Sequence, residues 1–352
     1  MDRLRAKYNS MSVETKAALW FAMCNFINKG IAMIVVPLYT RMLTTEEYGM
    51  YTVFQSWLNI FIIIATLEIS RGHYKVGITK YDEDVDNYTI SVLGLSNIVT
   101  ILFIVIYLCA IPVFNNLLEM PTYLVLSMFG YLLVYPAWEF WTIQQRFAYK
   151  YKTMVAATLA VAILSPVIGV AGIYLLNMQS DAAIFSKLLI QGVFALCIYV
   201  AFFRKSHTLF NKAYWKEAFI FNITLVPYLL STSILNQADR IMINSMVGAA
   251  EAAIYSVAYS VAMLMQLLNN AVSDAFIPWM YRRLKAKEYK VIEPVTNKLL
   301  ILVAGTNILL ILFAPEVIAI FAPGRYSDAI WAIPPVAASV FLMFLFHRYI
   351  HV

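Results

Sequence analysis

Along the chain, apolar positions collect into ten long runs separated by short polar stretches. The runs are 18–40, 50–70, 90–112, 122–142, 153–176, 184–203, 218–238, 252–273, 295–315 and 329–346. Each has about the 20 residues that an α-helix needs to cross ~30 Å of hydrocarbon. Helices suit that setting because they satisfy their own backbone hydrogen bonds where lipid offers none. A membrane barrel would instead show alternating segments of about ten residues, and runs such as Ile60–Ala65 do not alternate. The pattern predicts an all-α, polytopic membrane protein with ten transmembrane helices.

Composition strengthens this reading. Hydrophobic residues make up 62% of the 352 and charged residues 13%, with a mean hydropathy of +0.72. A soluble chain carries about 25% charge to wet its surface, so a soluble enzyme, a disordered protein and a nucleic-acid binder all start far behind. The net charge of +6 is a matter of placement. With the N-terminus inside, twenty of the 26 Lys and Arg fall in inner segments: Arg3–Lys16, Arg71–Lys80, Arg146–Lys152, Arg204–Lys216, Arg282–Lys290 and Arg348. The outer loops hold only Arg41, Arg240 and Arg325, and the spans hold Lys29, Lys187 and Lys298. That asymmetry is the positive-inside pattern, and it makes the basic balance one of topology and anionic lipid. Cys24, Cys109 and Cys197 all fall in spans and are expected reduced. No cleavable signal peptide is visible, because the first span is longer than a signal core.

An internal repeat divides the chain. Leu43–Tyr51 (LTTEEYGMY) follows the first span and Val247–Tyr255 (VGAAEAAIY) the seventh; at a constant offset Glu47 meets Glu251 and Tyr51 meets Tyr255. Duplicated halves are common in transporters. The reading is two lobes, 1–204 with six spans and 205–352 with four, joined by the basic, aromatic stretch Arg204–Ala218, expected along the inner interface. On this arithmetic the second lobe lacks its last two spans, so either the sequence is truncated or it is a shortened relative.

Three segments resemble a known family. Asn25–Tyr51 (NFINKGIAMIVVPLYTRMLTTEEYGMY) is similar to the first helix and following R-x-L-[ST]-x-x-[ED]-[YF]-G turn of the polysaccharide-exporter flippases. Pro227–Val261 resembles their seventh and eighth helices, and Ala314–Ala329 (APEVIAIFAPGRYSDA) their outer loop after the ninth. The resemblance is to the Wzx-type oligosaccharide flippases, in the superfamily that also holds the MATE drug exporters. It implies a MATE-like fold in a bacterial cytoplasmic (inner) membrane. It also implies translocation of a polyprenyl-pyrophosphate-linked oligosaccharide for O-antigen, capsule or exopolysaccharide synthesis. Implied partners are that lipid-linked substrate, the bilayer, and the polymerase and glycosyltransferases of the pathway. Family members usually have twelve to fourteen helices, so ten is a departure.

Ionisable groups inside spans are costly, roughly 2.5–3.5 kcal/mol on insertion scales, and are functional candidates by default. Lys29 lies at the middle of the first span beside Asn25 and Asn28. It would meet a pyrophosphate or acidic sugar; the alternative is an ion pair with a carboxylate such as Glu68. Asp239 and Arg240, closing the seventh span, and Arg41, Arg71 and Lys187 are further cavity candidates, each open to a plain anchoring role. Glu68, Glu139 and Asp274 could carry a coupling H⁺ or Na⁺. No cofactor or metal is expected and no nucleic acid. Asp82–Asp84 has the D-x-D form of metal-dependent glycosyltransferases but no nucleotide-binding domain around it, and H-E-x-x-H, G-x-S-x-G and phosphate-loop motifs are absent. The expectation is a transporter and not an enzyme. Alternatives are a cation-coupled MATE-like drug exporter, a membrane polymerase or ligase of the same pathway, and an inactive remnant. A polymerase or ligase would need a large outer loop, whereas the longest expected here, 239–251 and 316–328, have 13 residues.

Overall fold

The computed structural model describes residues 10–350, with side chains as far as Phe346. Arg3, Arg5, Lys7 and the side chain of Arg348, counted above among the inner charges, lie outside the described residues. Among the described residues there are thirteen α-helices, two 3-10 turns and no strand. The helices are α1 (Val13–Met42), α2 (Thr45–Thr66), α3 (His73–Lys80), α4 (Val85–Cys109), α5 (Ile111–Leu118), α6 (Thr122–Phe147) and α7 (Tyr151–Leu176). They continue with α8 (Gln179–Lys205), α9 (Lys212–Met246), α10 (Ala249–Lys285), α11 (Tyr289–Leu312), α12 (Ala314–Phe321) and α13 (Ala329–Ile350). Ten are long and apolar enough to cross a membrane, in agreement with the expected all-α polytopic fold.

The loops differ from expectation. Polar residues do not end a helix whose backbone ladder can continue, so α9 runs through Asn236, Asp239 and Arg240 to Met246. The expected 13-residue outer loop 239–251 shrinks to Val247–Gly248. Helix α10, 37 residues long, runs past the expected span 252–273 and carries Asp274 within it. The segment between the second and third spans, 71–89, is largely helical, and Asp84 of its D-x-D accepts hydrogen bonds from Tyr214 (2.6 Å) and Asn87 (2.5 Å).

By packing, the chain groups into two compact units. Unit 1 gathers the residues up to Ala32 with Val53–Met246. Its helices α6, α7 and α8 pack together, and α4 lies on α6. The core joins Tyr74, Tyr88, Phe140 and Tyr214, with the Tyr74 and Phe140 rings stacked at 4.0 Å. The stretch expected along the interface is tied to this core through Tyr214 and Ala218: Trp215 donates to the Ser91 carbonyl (2.8 Å), and Thr208 to Asn87 Oδ1 (3.1 Å).

Unit 2 gathers Met33–Thr52 with Val247 onward, and α10, α11 and α13 pack together in it. The family-like motif has a structural job here. Thr44 and Glu47 form a reciprocal capping box at the start of α2: Glu47 N–H donates to Thr44 Oγ1 (3.2 Å) and Thr44 N–H to Glu47 Oε2 (2.8 Å). In the repeat, Gly248 takes the capping position with φ +139°, and Glu251 again stands in the first turn, of α10. Glu47 therefore has a local capping role, and Glu251 shares its place in the first turn. The C-terminus of α1 is closed by Arg325, whose Nη2 donates to the carbonyls of Thr40 (2.6 Å) and Leu43 (2.5 Å).

Candidate functional site

The polar residues of interest fall mostly in unit 1. Between α2 and α3 the chain leaves the helix over Leu67–Gly72, and Leu67 and Glu68 adopt φ of 55° and 41°. This turn is firmly held. Ser96 Oγ and Thr100 Oγ1 of α4 donate to the last carbonyls of α2, Thr66 (3.2 Å) and Ala65 (2.8 Å). Glu68 is 1% exposed, and Arg71 Nε lies 2.8 Å from its Oε1, an ion pair not aligned as a hydrogen bond. Glu139 on α6 takes a hydrogen bond from Tyr135 and is within electrostatic reach of both Glu68 and Arg71. Glu68, one of the expected ion-coupling carboxylates, is therefore paired with Arg71, and Glu139 lies within electrostatic reach of both.

Lys187 on α8 donates to Gln55 Oε1 of α2 (2.7 Å), and no carboxylate among the described residues pairs with it. Gln55 Nε2 has no acceptor. At 1.5 Å per residue, Lys187 stands ~12 Å in from the start of α8.

On the segment that follows the turn, His73 Nδ1 meets Tyr88 OH at 2.8 Å, and its Nε2 is 3.7 Å from Glu217 Oε2. Burial pulls the His73 pKa below the ordinary histidine range, with Glu217 opposing and Lys80 assisting. Glu217 is held by Lys80 (2.8 Å) and Tyr81 (2.8 Å). Asn222, fully buried, accepts from His73 N–H (3.4 Å).

The remaining candidates are scattered. Lys29, Asn25 and Asn28 are exposed on α1; Lys29 makes no ion pair among the described residues, and Glu68 pairs with Arg71 instead. Arg41 is engaged structurally in unit 2: Nη1 donates to Pro37 O (3.0 Å) and Nη2 to Ile320 O at the end of α12 (2.8 Å). Arg240 donates to Gln237 on its own helix (2.8 Å), with Asp239 exposed beside it. Asp274 is exposed on α10, in unit 2. Sequence reasoning passed over Gln55 and Tyr135, neutral residues whose role appears only through Lys187 and Glu139. Among the described residues no group of three or more His, Cys, Asp or Glu could hold a metal.

The fold has solved counterparts. An inward-facing multidrug-resistance MATE-family transporter of the MOP superfamily is similar at 15% identity, over 94% of this chain and 87% of that one, with a TM-score of 0.58. An outward-facing member is similar at 16% over 96% and 81%, TM-score 0.57. A MOP-superfamily transporter from Pyrococcus furiosus, described by a binding pocket of reversed polarity, is similar at 16% over 95% and 85%, TM-score 0.54. These likenesses establish a MATE-like fold. No curated protein sequence matches the chain. The profile of the family described as "Polysaccharide biosynthesis protein" matches residues 15–284, well over half of the chain, which therefore belongs to the polysaccharide biosynthesis protein family.

Proposed function

We propose that this protein flips a polyprenyl-pyrophosphate-linked oligosaccharide from the inner to the outer leaflet of a bacterial cytoplasmic membrane. Its N-terminus would be cytoplasmic, and two lobes, 1–204 and 205–352, would work in alternation. Family membership and a MATE-like fold support a membrane transporter of polysaccharide synthesis. The observation that carries the choice of substrate is Lys187, an ammonium inside unit 1 held by one neutral amide and, among the described residues, by no carboxylate. A cation kept within an apolar helix layer is costly, and an anionic ligand would offset that cost. Lys29, with Asn25 and Asn28, offers a second uncompensated cation with polar neighbours on α1. A pyrophosphate carries the charge such groups would meet; an organic cation would be repelled. Translocation needs no bond-making, so no catalytic residue is assigned and H⁺ or Na⁺ suffices as the energy source. The polymerase and glycosyltransferases of the same pathway would be its functional neighbours.

The test is flipping of a fluorescent lipid-linked oligosaccharide in proteoliposomes, read by quenching from outside. The wild-type chain should expose the label in the far leaflet. Lys187→Met, which removes charge but keeps length, should insert at least as well and lose most of the signal, on the order of tenfold or more. Undiminished flipping by Lys187→Met, or transport of organic cations in place of the oligosaccharide, would overturn the assignment.

A further inference from the structure

The repeat extends to whole helices. Helix α10 begins 204 residues after α2 (249 against 45), and α11 begins 204 after α4 (289 against 85). Ser91 and Leu95 of α4 therefore correspond to Val295 and Leu299 of α11. In unit 1 these positions are covered by the start of α9: Trp215 donates to the Ser91 carbonyl (2.8 Å), and Tyr214 and Ala218 share a core with Leu95. In unit 2, Val295 and Leu299 instead form one wall of a groove of about 730 Å³. Val272, Phe276 and Trp279 of α10 form the other wall, and Arg282 stands at its end.

The lining indicates what this groove accepts. In unit 1 the covering segment is held by polar side chains as well as by apolar contact: Tyr214 OH donates to Asp84 (2.6 Å), and Lys80 to Glu217 (2.8 Å). The counterparts of Asp84 and Lys80 are Glu288 and Leu284. Glu288 is taken by Arg283, whose guanidinium also lies over the Trp279 ring at 5.7 Å, and Leu284 has no polar atom in its side chain. An aromatic, charged peptide like that of unit 1 would find its hydroxyl and carboxylate unpartnered, which is costly once they are buried. A hydrocarbon tail has no such groups. The length agrees with a tail: Ala271 to Arg282 is eleven residues of α10, or ~16 Å. One leaflet contributes ~15 Å to the ~30 Å of bilayer hydrocarbon.

The charge selects among lipids. Residues 282–290 hold five Lys or Arg against one Glu. Arg282 donates through Nε to the Pro278 carbonyl of its own helix (3.3 Å). Among the described residues neither it nor Lys285, Lys287 or Lys290 makes an ion pair. We propose that this groove is a binding site for an anionic phospholipid, with one acyl chain between α10 and α11 and the phosphate against Arg282, backed by those three lysines. The lipid would cover in unit 2 the face that α9 covers in unit 1. The site does not depend on what the protein transports.

The test uses the full chain with Val272, ten residues from Arg282 along α10, replaced by photoreactive benzoylphenylalanine. It is irradiated in nanodiscs of equal parts phosphatidylcholine and phosphatidylglycerol and weighed intact. Phosphatidylglycerol adducts should exceed phosphatidylcholine adducts roughly fivefold, the factor that one basic residue supplies at an anionic surface. The excess should vanish in Arg282→Gln and persist in Arg282→Lys; Arg282 is exposed, so its replacement spares the fold. Ala275→Phe, which sets a ring between the probe and the headgroup, should remove most of both adducts. The same probe at Leu309, exposed near the far end of α11, should label the two lipids equally. Equal labelling from Val272, or an excess that survives Arg282→Gln, would overturn the site. In native membranes the Val272 probe should again capture a phospholipid; a polypeptide adduct, or one with the mass of a polyprenyl-linked sugar in its place, would overturn it as well.

Discussion

The packing of Gly49 sets up a sharp prediction about what holds unit 2 together. A Cβ added at Gly49 would stand 1.8 Å from the carbonyl oxygen of Ala249 and 2.5 Å from its carbon. Both obstacles are backbone, so neither can swing aside. Real Cβ contacts essentially never fall below 3.0 Å, so Gly49→Ala must part the start of α2 from the start of α10 by about 1.2 Å. Nearby, Tyr48 is set edge-on to the buried Tyr326 at 6.2 Å, and Tyr39 edge-on to Tyr51 at 5.4 Å. A radial gap of 0.5–1 Å already forfeits a quarter to a half of each contact's attraction, and overpacking of this kind costs about 1–3 kcal/mol. The helix-propensity gain of alanine over glycine, roughly 0.5–1 kcal/mol, offsets only part. A net loss of about 1–2 kcal/mol is roughly a five- to thirtyfold change in the folded ratio and, for a chain of 352 residues, a fall of roughly 1–3 °C in melting temperature.

The measurement is thermal unfolding of the full chain in detergent, followed by fluorescence-detected size exclusion. Gly305→Ala, in α11 of the same unit, has nothing within 4 Å of the new methyl and serves as the control, expected unchanged or slightly stabilised. A Gly49→Ala protein melting no lower than Gly305→Ala would refute the close approach and the repeat-to-repeat packing built on it.

Two further outcomes follow from the caps and the buried histidine. Arg325→Ala strands the carbonyls of Thr40 and Leu43 and should lower stability by about 1–3 kcal/mol, with Arg325→Lys recovering part; equal melting of Arg325→Ala and wild type would contradict the capping role. Because the His73 pKa is depressed in the fold, the unfolded chain takes up a proton near pH 6.5 that the folded one resists. Stability is therefore full above that pH and falls as the pH drops below it, by at most ~1.4 kcal/mol per pH unit. His73→Gln should flatten this part of the pH–melting curve, and an unchanged slope would dismiss His73 as its source.

Most of the fold was legible because lipid imposes a coarse rule: twenty apolar residues in a row make a span, and no tertiary detail overrides it. What escaped was the backbone inside and beyond the spans. The run 50–70 reads as one helix, yet α2 ends at Thr66; Leu67 and Glu68 carry no glycine or proline to announce the break, and the hydroxyls that hold it come from 30 and 35 residues away. The segment around Thr44 and Glu47 was legible as a repeat and a family-like turn; its capping box comes from the structure.

The charged candidates divide by side-chain geometry, which sequence position does not reveal. An arginine presents a planar fork that can satisfy two acceptors at once, whereas a lysine presents a single compact ammonium. The arginines are accordingly taken up by the protein: Arg41 bridges Pro37 and Ile320, 279 residues apart from it in sequence at the second contact, Arg325 closes α1, and Arg71 sits against Glu68. The lysines are not. Lys187 has only an amide, and Lys29 has no ion pair among the described residues. A flippase for a doubly charged pyrophosphate needs cations whose charge is still unspent inside the apolar layer, and those two lysines are the cations on which the proposed substrate stands or falls.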